Sequence, residues 1–308
     1  MKTLIVKQSM SLPLNDTMGY SSPHYFAALG ESGVPLGQTG GSLITRSISG
    51  SNQTDLAGIW PLFTCQNWAG LAADIDALKT DHVTVTLVSD PFAPLSQADL
   101  GAIFPICRPL HDHWVIDLLA PPSLSKHHRR ELRKVLPPQI VAGPPPSDLA
   151  IGWAQLYAHL VSKKNIQDSR AFSAQALAAQ LAVPGAQVVT AWQGSTLLGV
   201  DLYYLDRGVA YAHLSAYSPS GYEASVSYPM MAAAMDYFAT MAQFIDLGGA
   251  PAGSAGPGIA RFKAGWTSQT RKTFLCGKVL NPKAYRQLAP AADPDGWFPA
   301  YRAGEFKT

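Results

Sequence analysis

The sequence predicts an α/β fold of the α+β kind, with mixed, mostly antiparallel sheets flanked by helices and the chain divided into two halves. Three observations predict it. Residues 186 to 217, "AQVVTAWQGSTLLGVDLYYLDRGVAYAHLSAY", are three β-branched and aromatic runs separated by the turn sequences QGST and LDRG, which is an antiparallel meander. Helical periods lie on both sides of it: 148 to 165 and 173 to 183 before, 225 to 243 after. Finally, "LPPQIVAGPPPSDL", residues 136 to 149, carries five prolines and cannot continue a helix, so the halves are expected at 1–143 and 144–308.

The elements follow in order. "GQTGGSLITRSISGSNQ" (37–53) is rich in Gly, Ser and Thr and is expected to be a mobile loop. "HVTVTLVSD" (82–90) and "HDHWVIDLL" (111–119) are expected strands, with the helical "SQADLGAIF" between them. In "PPSLSKHHRRELRKVLPP", Ser123 or Ser125 caps a helix that the following prolines stop. After the meander come the long apolar helix "SVSYPMMAAAMDYFATMAQ", a short strand "FIDLGG", a helical turn "PGIARFKAGW" opened by Pro257, and a last strand "KTFLCGKVLN".

Composition narrows the function classes. The chain has 308 residues, enough to bury an ample core without disulfide or metal staples. It is 14% charged and 47% hydrophobic, with a net charge of +2, which fits a compact enzyme-like protein and argues against wholesale wrapping of nucleic acid. Cys65, Cys107 and Cys276 make no metal-ligand spacing, so reduced thiols and no metal site are expected. The short apolar run near Met1 lacks the length of a signal-peptide core, and no stretch approaches the roughly 18 apolar residues of a membrane span. A cytoplasmic protein is the expectation.

The chemistry-bearing stretch is "EASVSYPMMAAAMDYFATMAQFIDLGGAPAGSAGPGIARFKAGW". An acidic residue (Glu223) and an aromatic (Tyr228) precede and open the helix. The strand ends in Asp246, Gly248 and Gly249, and Gly258-x-x-Arg261-Phe262-Lys263-x-Gly265 follows. In order and spacing this resembles the FemABX-like transferases and the related BioF2-like proteins of the GNAT acyltransferase superfamily. Two helices, three meander strands, then helix, strand, helix and strand is also the GNAT element order. The resemblance implies tandem GNAT-like (acyl-CoA N-acyltransferase) domains, with the second half carrying the Fem-like motif. It further implies an N-acyltransferase or aminoacyltransferase joining an activated acyl donor, acyl-CoA or aminoacyl-tRNA, to a small-molecule amine. No tightly bound cofactor is expected. The pyrophosphate loop of GNAT proteins has no match in the equivalent stretch "YSPSGYEASVSY", and Ser225 and Val226 stand where Fem proteins commonly carry basic residues.

Amide formation by direct attack needs a neutral amine beside the carbonyl, donors for the oxyanion and a route for the amine proton, but neither a metal nor a covalent nucleophile. The resemblance gives Phe262 and Lys263 roles close to the oxyanion or a donor phosphate. The residues alone also allow a buried aromatic between two solvated cations. Asp246 is a candidate proton acceptor or a loop cap, and His213 a candidate base or a core histidine. Arg261, Glu223, Tyr228 and Trp266 are candidate substrate contacts, as is Tyr222. Lys126, Arg129, Arg130, Arg133 and Lys134 fall on one helical face, with Leu124, His128, Leu132 and Val135 on the other. That stripe suits substrate phosphates or is a solvated face. A catalytically silent, small-molecule-binding GNAT-fold protein is the alternative function.

Overall fold

The computed structural model describes residues 4–5, 17–134, 139–166, 170–250, 256–293 and 295–305. In chain order the first elements are β1 (Leu4–Ile5), α1 (Pro23–Ala28), β2 (Gly33–Pro35), β3 (Ser42–Ser47), β4 (Thr54–Gly58), α2 (Leu71–Asp76) and β5 (Thr84–Val88). Then come α3 (Gln97–Ile103), β6 (Ile106–Asp117), α4 (Lys126–Leu132), β7 (Gln139–Gly143), α5 (Leu149–Lys164) and α6 (Ala174–Leu181). The meander is β8 (Ala186–Gln193), β9 (Thr196–Asp206) and β10 (Val209–Tyr217). It is followed by α7 (Pro219–Glu223), α8 (Ser227–Phe238), β11 (Phe244–Asp246), α9 (Gly256–Ala264), β12 (Thr270–Val279) and α10 (Pro282–Leu288).

Two compact units form, each from two stretches of chain. The first holds 1–30 and 112–271, the second 31–111 and 272–308. The proline-rich stretch at which the sequence suggests a division lies within the first unit, where β7 pairs antiparallel with β8.

In the first unit β7, β8, β9 and β10 are successive antiparallel neighbours, β1 adds to β7 in parallel, and β11 pairs parallel with β10 and antiparallel with the end of β6. The order of helices and strands from α5 onward is the GNAT-like order of the sequence reading, with α7 as an added single turn. Helix α8 buries Met230, Met231, Ala234, Tyr237 and Phe238, the i, i+1, i+4, i+7, i+8 stripe of a helix lying on a sheet. That stripe joins Val189, Ala191, Tyr203, Ile245 and Trp266 in one core.

In the second unit β12 and β5 are antiparallel, β5 and β4 parallel, and β4, β3 and β2 antiparallel. The core there is built on Leu43, Leu56, Phe63, Val85, Leu87, Leu100, Phe104 and Cys276. The loop expected at 37–53 is corrected by β3. Its Leu43 and Ile44 are buried between two partner strands, so burial of apolar side chains outweighs the Gly and Ser around them. Helix α3 forms where "SQADLGAIF" is expected to be helical, and at its start Ser96 and Asp99 are bonded reciprocally in a capping box. No helix among the described residues is long and apolar enough to cross a membrane.

Candidate functional site

Strand β11 ends in Asp246, and the chain turns sharply through Gly248, whose φ of +72° favours glycine. The buried Asp246 carboxylate accepts the Gly248 N–H at 2.8 Å and the His113 Nδ1–H at 2.9 Å, so it holds the turn from two sides. Across the turn, on α9, Lys263 Nζ donates to the Gly249 carbonyl. Burial pulls the Lys263 pKa down to about 8, and the charge on Asp246 opposes that shift.

Strand β9 runs "TLLGVDLYYLD", an apolar segment with one carboxylate, Asp201, in its buried middle and a second, Asp206, at its end. Register sets Asp201 opposite Ser215 and Gly199 opposite Tyr217, so Asp201, Ser215 and Tyr217 share a face of the sheet. Tyr217 donates its hydroxyl to Asp201 Oδ1 at 2.6 Å. Burial raises the Asp201 pKa to about 6, and hydrogen bonds from Tyr217 and Ser215 limit the rise.

Lys263 and Asp201 line the same cavity. Its volume is about 80 Å³, and Tyr203, Ser215, Tyr217, Ser227, Met231 and Phe262 complete most of its wall. A small enclosure with an acid of raised pKa and an ammonium of lowered pKa is an arrangement suited to general acid–base chemistry. The second unit has a more open hollow of about 520 Å³, lined by Gln97, Ala98, Gly101, Phe104, Pro105 and Cys107 without a charged side chain. Among the described residues no group of three or more His, Cys, Asp or Glu is placed to hold a metal ion.

The end of α9 is held by α4. His128 Nε2 donates to the Phe262 carbonyl at 2.8 Å, and the Ser125 N–H donates to the Gly265 carbonyl at 3.0 Å. A Cβ on residue 265 would collide with the His128 ring, which explains the glycine in the motif. Ser125, not Ser123, caps α4, accepting the His128 N–H at 3.2 Å. Tyr228, Phe262 and Trp266 surround His128 in edge and tilted ring contacts, and Tyr228 bonds His127 Nε2 at 3.0 Å. Trp266 Nε1 is buried without a partner among the described residues.

The structure thus brings Asp246, Phe262 and Lys263 together, with Tyr228 and Trp266 behind Phe262. It does not bring His213 to them. His213 sits at a bulge in β10 among Tyr20, Tyr25 and Tyr204, bonded through Nε2 to Gln180 at 2.8 Å, with its pKa pushed down to about 3 by burial. Arg261 and Glu223 are exposed. Tyr222 is also exposed and receives Lys163 over its ring at 4.1 Å. Lys126, Arg129 and Arg130 on α4 and Arg133 and Lys134 just past its end are all exposed, while Arg130 and Lys134 pair with Glu131 and Arg129 donates to the Leu124 carbonyl at 2.8 Å.

Sequence reasoning passed over Asp201, Tyr217 and His113. An aspartate in the middle of an apolar strand is the available signal for Asp201, since a buried carboxylate needs partners or a purpose. Its pairing with Tyr217 depends on strand register and has no local signature.

No family model and no curated protein matches this chain. Solved structures do. A crystal structure of FemX superposes with a TM-score of 0.61 at 12% identity, covering 86% of this chain and 92% of that one. The C-terminal domain (DUF2156) of a putative lysylphosphatidylglycerol synthetase from Agrobacterium fabrum gives 0.56 at 13%, covering 87% and 89%. L-PGS from Bacillus licheniformis gives 0.53 at 12%, covering 88% and 95%. At such low identity the likeness speaks for architecture, and the chain shares the fold of FemX.

Proposed function

We propose that the protein transfers an acyl or aminoacyl group from an activated donor, a coenzyme A thioester or an aminoacyl-tRNA ester, to an amine. The observation that carries this reading is the cavity shared by Asp201 and Lys263. The amine nitrogen attacks the donor carbonyl carbon, and a C–N bond forms as the carbonyl oxygen takes negative charge. The Lys263 ammonium faces that oxygen, and the Asp201 carboxylate accepts the proton the nitrogen sheds. Collapse breaks the carbonyl bond to the thiolate or ribose oxygen; the ribose oxygen takes the proton held by Asp201 as it leaves, whereas the thiolate leaves as the anion and Asp201 gives its proton to water. Asp246 and His113 do not touch the reacting atoms in this scheme; they hold the turn against which Lys263 is set.

The carboxylate and ammonium of one cavity, and the fold shared with FemX, with the putative lysylphosphatidylglycerol synthetase domain and with L-PGS, support the reading. The smallness of the cavity favours a second one, a protein of the same fold that binds a small molecule without turnover. One experiment separates them. Purified protein is screened by thermal shift and native mass spectrometry against coenzyme A thioesters and charged tRNA, and amide formation is then followed with the ligand that binds. Transfer expects a stabilising donor that is consumed when an amine is added. A ligand that binds and is never consumed supports the second reading, and no binding of either donor class rejects the first.

A further inference from the structure

Lys263 is fixed at its tip by the Gly249 carbonyl, and something must also fix the turn of helix from which it projects. That turn lies at the C-terminus of α9, where backbone carbonyls run out of helical partners and ends fray. Two of its carbonyls are taken by α4. Phe262, the residue before Lys263, gives its carbonyl to His128 Nε2–H at 2.8 Å, and Gly265, two residues after it, gives its carbonyl to the Ser125 N–H at 3.0 Å. The histidine ring lies where a Cβ on residue 265 would stand, so the contact is steric as well as polar.

We propose that His128 is the positioning residue of Lys263, clamping the last turn of α9 so that the ammonium stays in the cavity with Asp201. This rests on the reading of Lys263 as the working cation of that cavity. A carbonyl only accepts, so Nε2 carries the ring proton, and Nδ1 must then accept from the Ser125 hydroxyl, 2.9 Å away. Ser125 Oγ in turn accepts the His128 N–H at the start of α4, closing a loop of bonds that leaves the ring one tautomer and one orientation. The neutral form suits the site: the ring is almost fully buried, and His127, Glu131 and Tyr228 are the titratable groups that face it. A purely apolar residue fills the space beside Gly265 but leaves the Phe262 carbonyl without this donor.

The test uses the full chain and needs no substrate. Nitrogen-15 NMR of the histidine rings at pH 7.5 is expected to show His128 as the Nε2–H tautomer; the Nδ1–H tautomer overturns the proposal without any variant. The second measurement is the pH dependence of Lys263 labelling by acetic anhydride, read residue by residue by mass spectrometry. The wild type is expected to titrate near 8. His128→Leu, which folds without the donor, is expected to raise that value by about one unit or more toward the ordinary lysine range. His128→Gln, whose amide N–H also reaches the carbonyl, recovers at least half of the shift, and Gly265→Ala, which displaces an intact ring, reproduces it. Loss of global stability alone leaves the titration of folded molecules in place. An unmoved Lys263 titration in folded His128→Leu therefore overturns the proposal, and if that variant does not fold, the tautomer and the glutamine and alanine variants decide. A shifted Lys263 in a protein that consumes no acyl donor upholds the clamp and rejects the transferase reading instead.

Discussion

Replacing Asp201 by asparagine separates what the carboxylate does for chemistry from what it costs the fold. Asp201 is 3% exposed, and its pKa rises from 3.8 to about 6 because burial disfavours the charged form. A folded-state pKa above the unfolded one means that the native protein holds the proton more tightly. The associated stability is fully present below pH 3.8 and is lost as pH rises through about 6. Two pKa units correspond to about 3 kcal/mol, of which about 2–3 kcal/mol is lost between pH 4 and pH 8. The amide of Asp201→Asn does not titrate, and its oxygen still accepts from Tyr217. The variant should therefore match the wild type in acid and become progressively more stable by comparison as pH rises, by about 5–10 °C in Tm at pH 8 for a unit of this size. Its transfer rate should fall about a hundredfold or more, since the proton acceptor is gone. The assay is thermal unfolding of both proteins at half-unit pH steps, beside a turnover assay with whichever donor binds. Parallel Tm curves across the pH range would refute the burial argument, and an unchanged rate would remove Asp201 from the chemistry.

Lys263→Met keeps the aliphatic stem but removes the charge, and is expected to lower turnover about a hundredfold with the fold intact by circular dichroism. Lys263→Arg restores only part of this, because a planar fork does not replace a compact ammonium. The rate should follow a bell in pH, rising as Asp201 ionises near 6 and falling as Lys263 loses its proton near 8, with the alkaline limb absent in Lys263→Arg. Charge reversal at Lys126 and Arg133, exposed cations of the α4 stripe, should weaken binding of a phosphate-bearing donor at low salt and leave stability within about 0.5 kcal/mol. In the second unit, Arg302 grips the fully buried Asp55 through Nε at 2.6 Å and a second guanidinium nitrogen at 2.9 Å; Asp55→Ala leaves that cation with the partly exposed Glu305 as its carboxylate partner and should cost about 3 kcal/mol in denaturant unfolding.

Local sequence determined the elements whose signals are local. The meander from 186 to 217, the period of α8, the helix at α3 and the Ser-capped start of α4 follow from turn residues, side-chain spacing and short-range hydrogen bonds, and each stands where the chain predicts it. The resemblance around Gly258 to Gly265 likewise brought Phe262 and Lys263 to notice before any geometry. Tertiary structure alone decided which groups meet Lys263. Asp201 arrives from 62 residues away because strand register turns it, Ser215 and Tyr217 to one face, while His213, on a bulge in the same strand as Ser215 and Tyr217, turns away into a tyrosine cluster. The glycine at 265 has its reason in a histidine 137 residues earlier, which no window of sequence contains. The lowered pKa of Lys263 and the raised pKa of Asp201 have the same origin. Both are set by how much water the packed chain excludes, a quantity that exists only once distant segments have closed around the side chain.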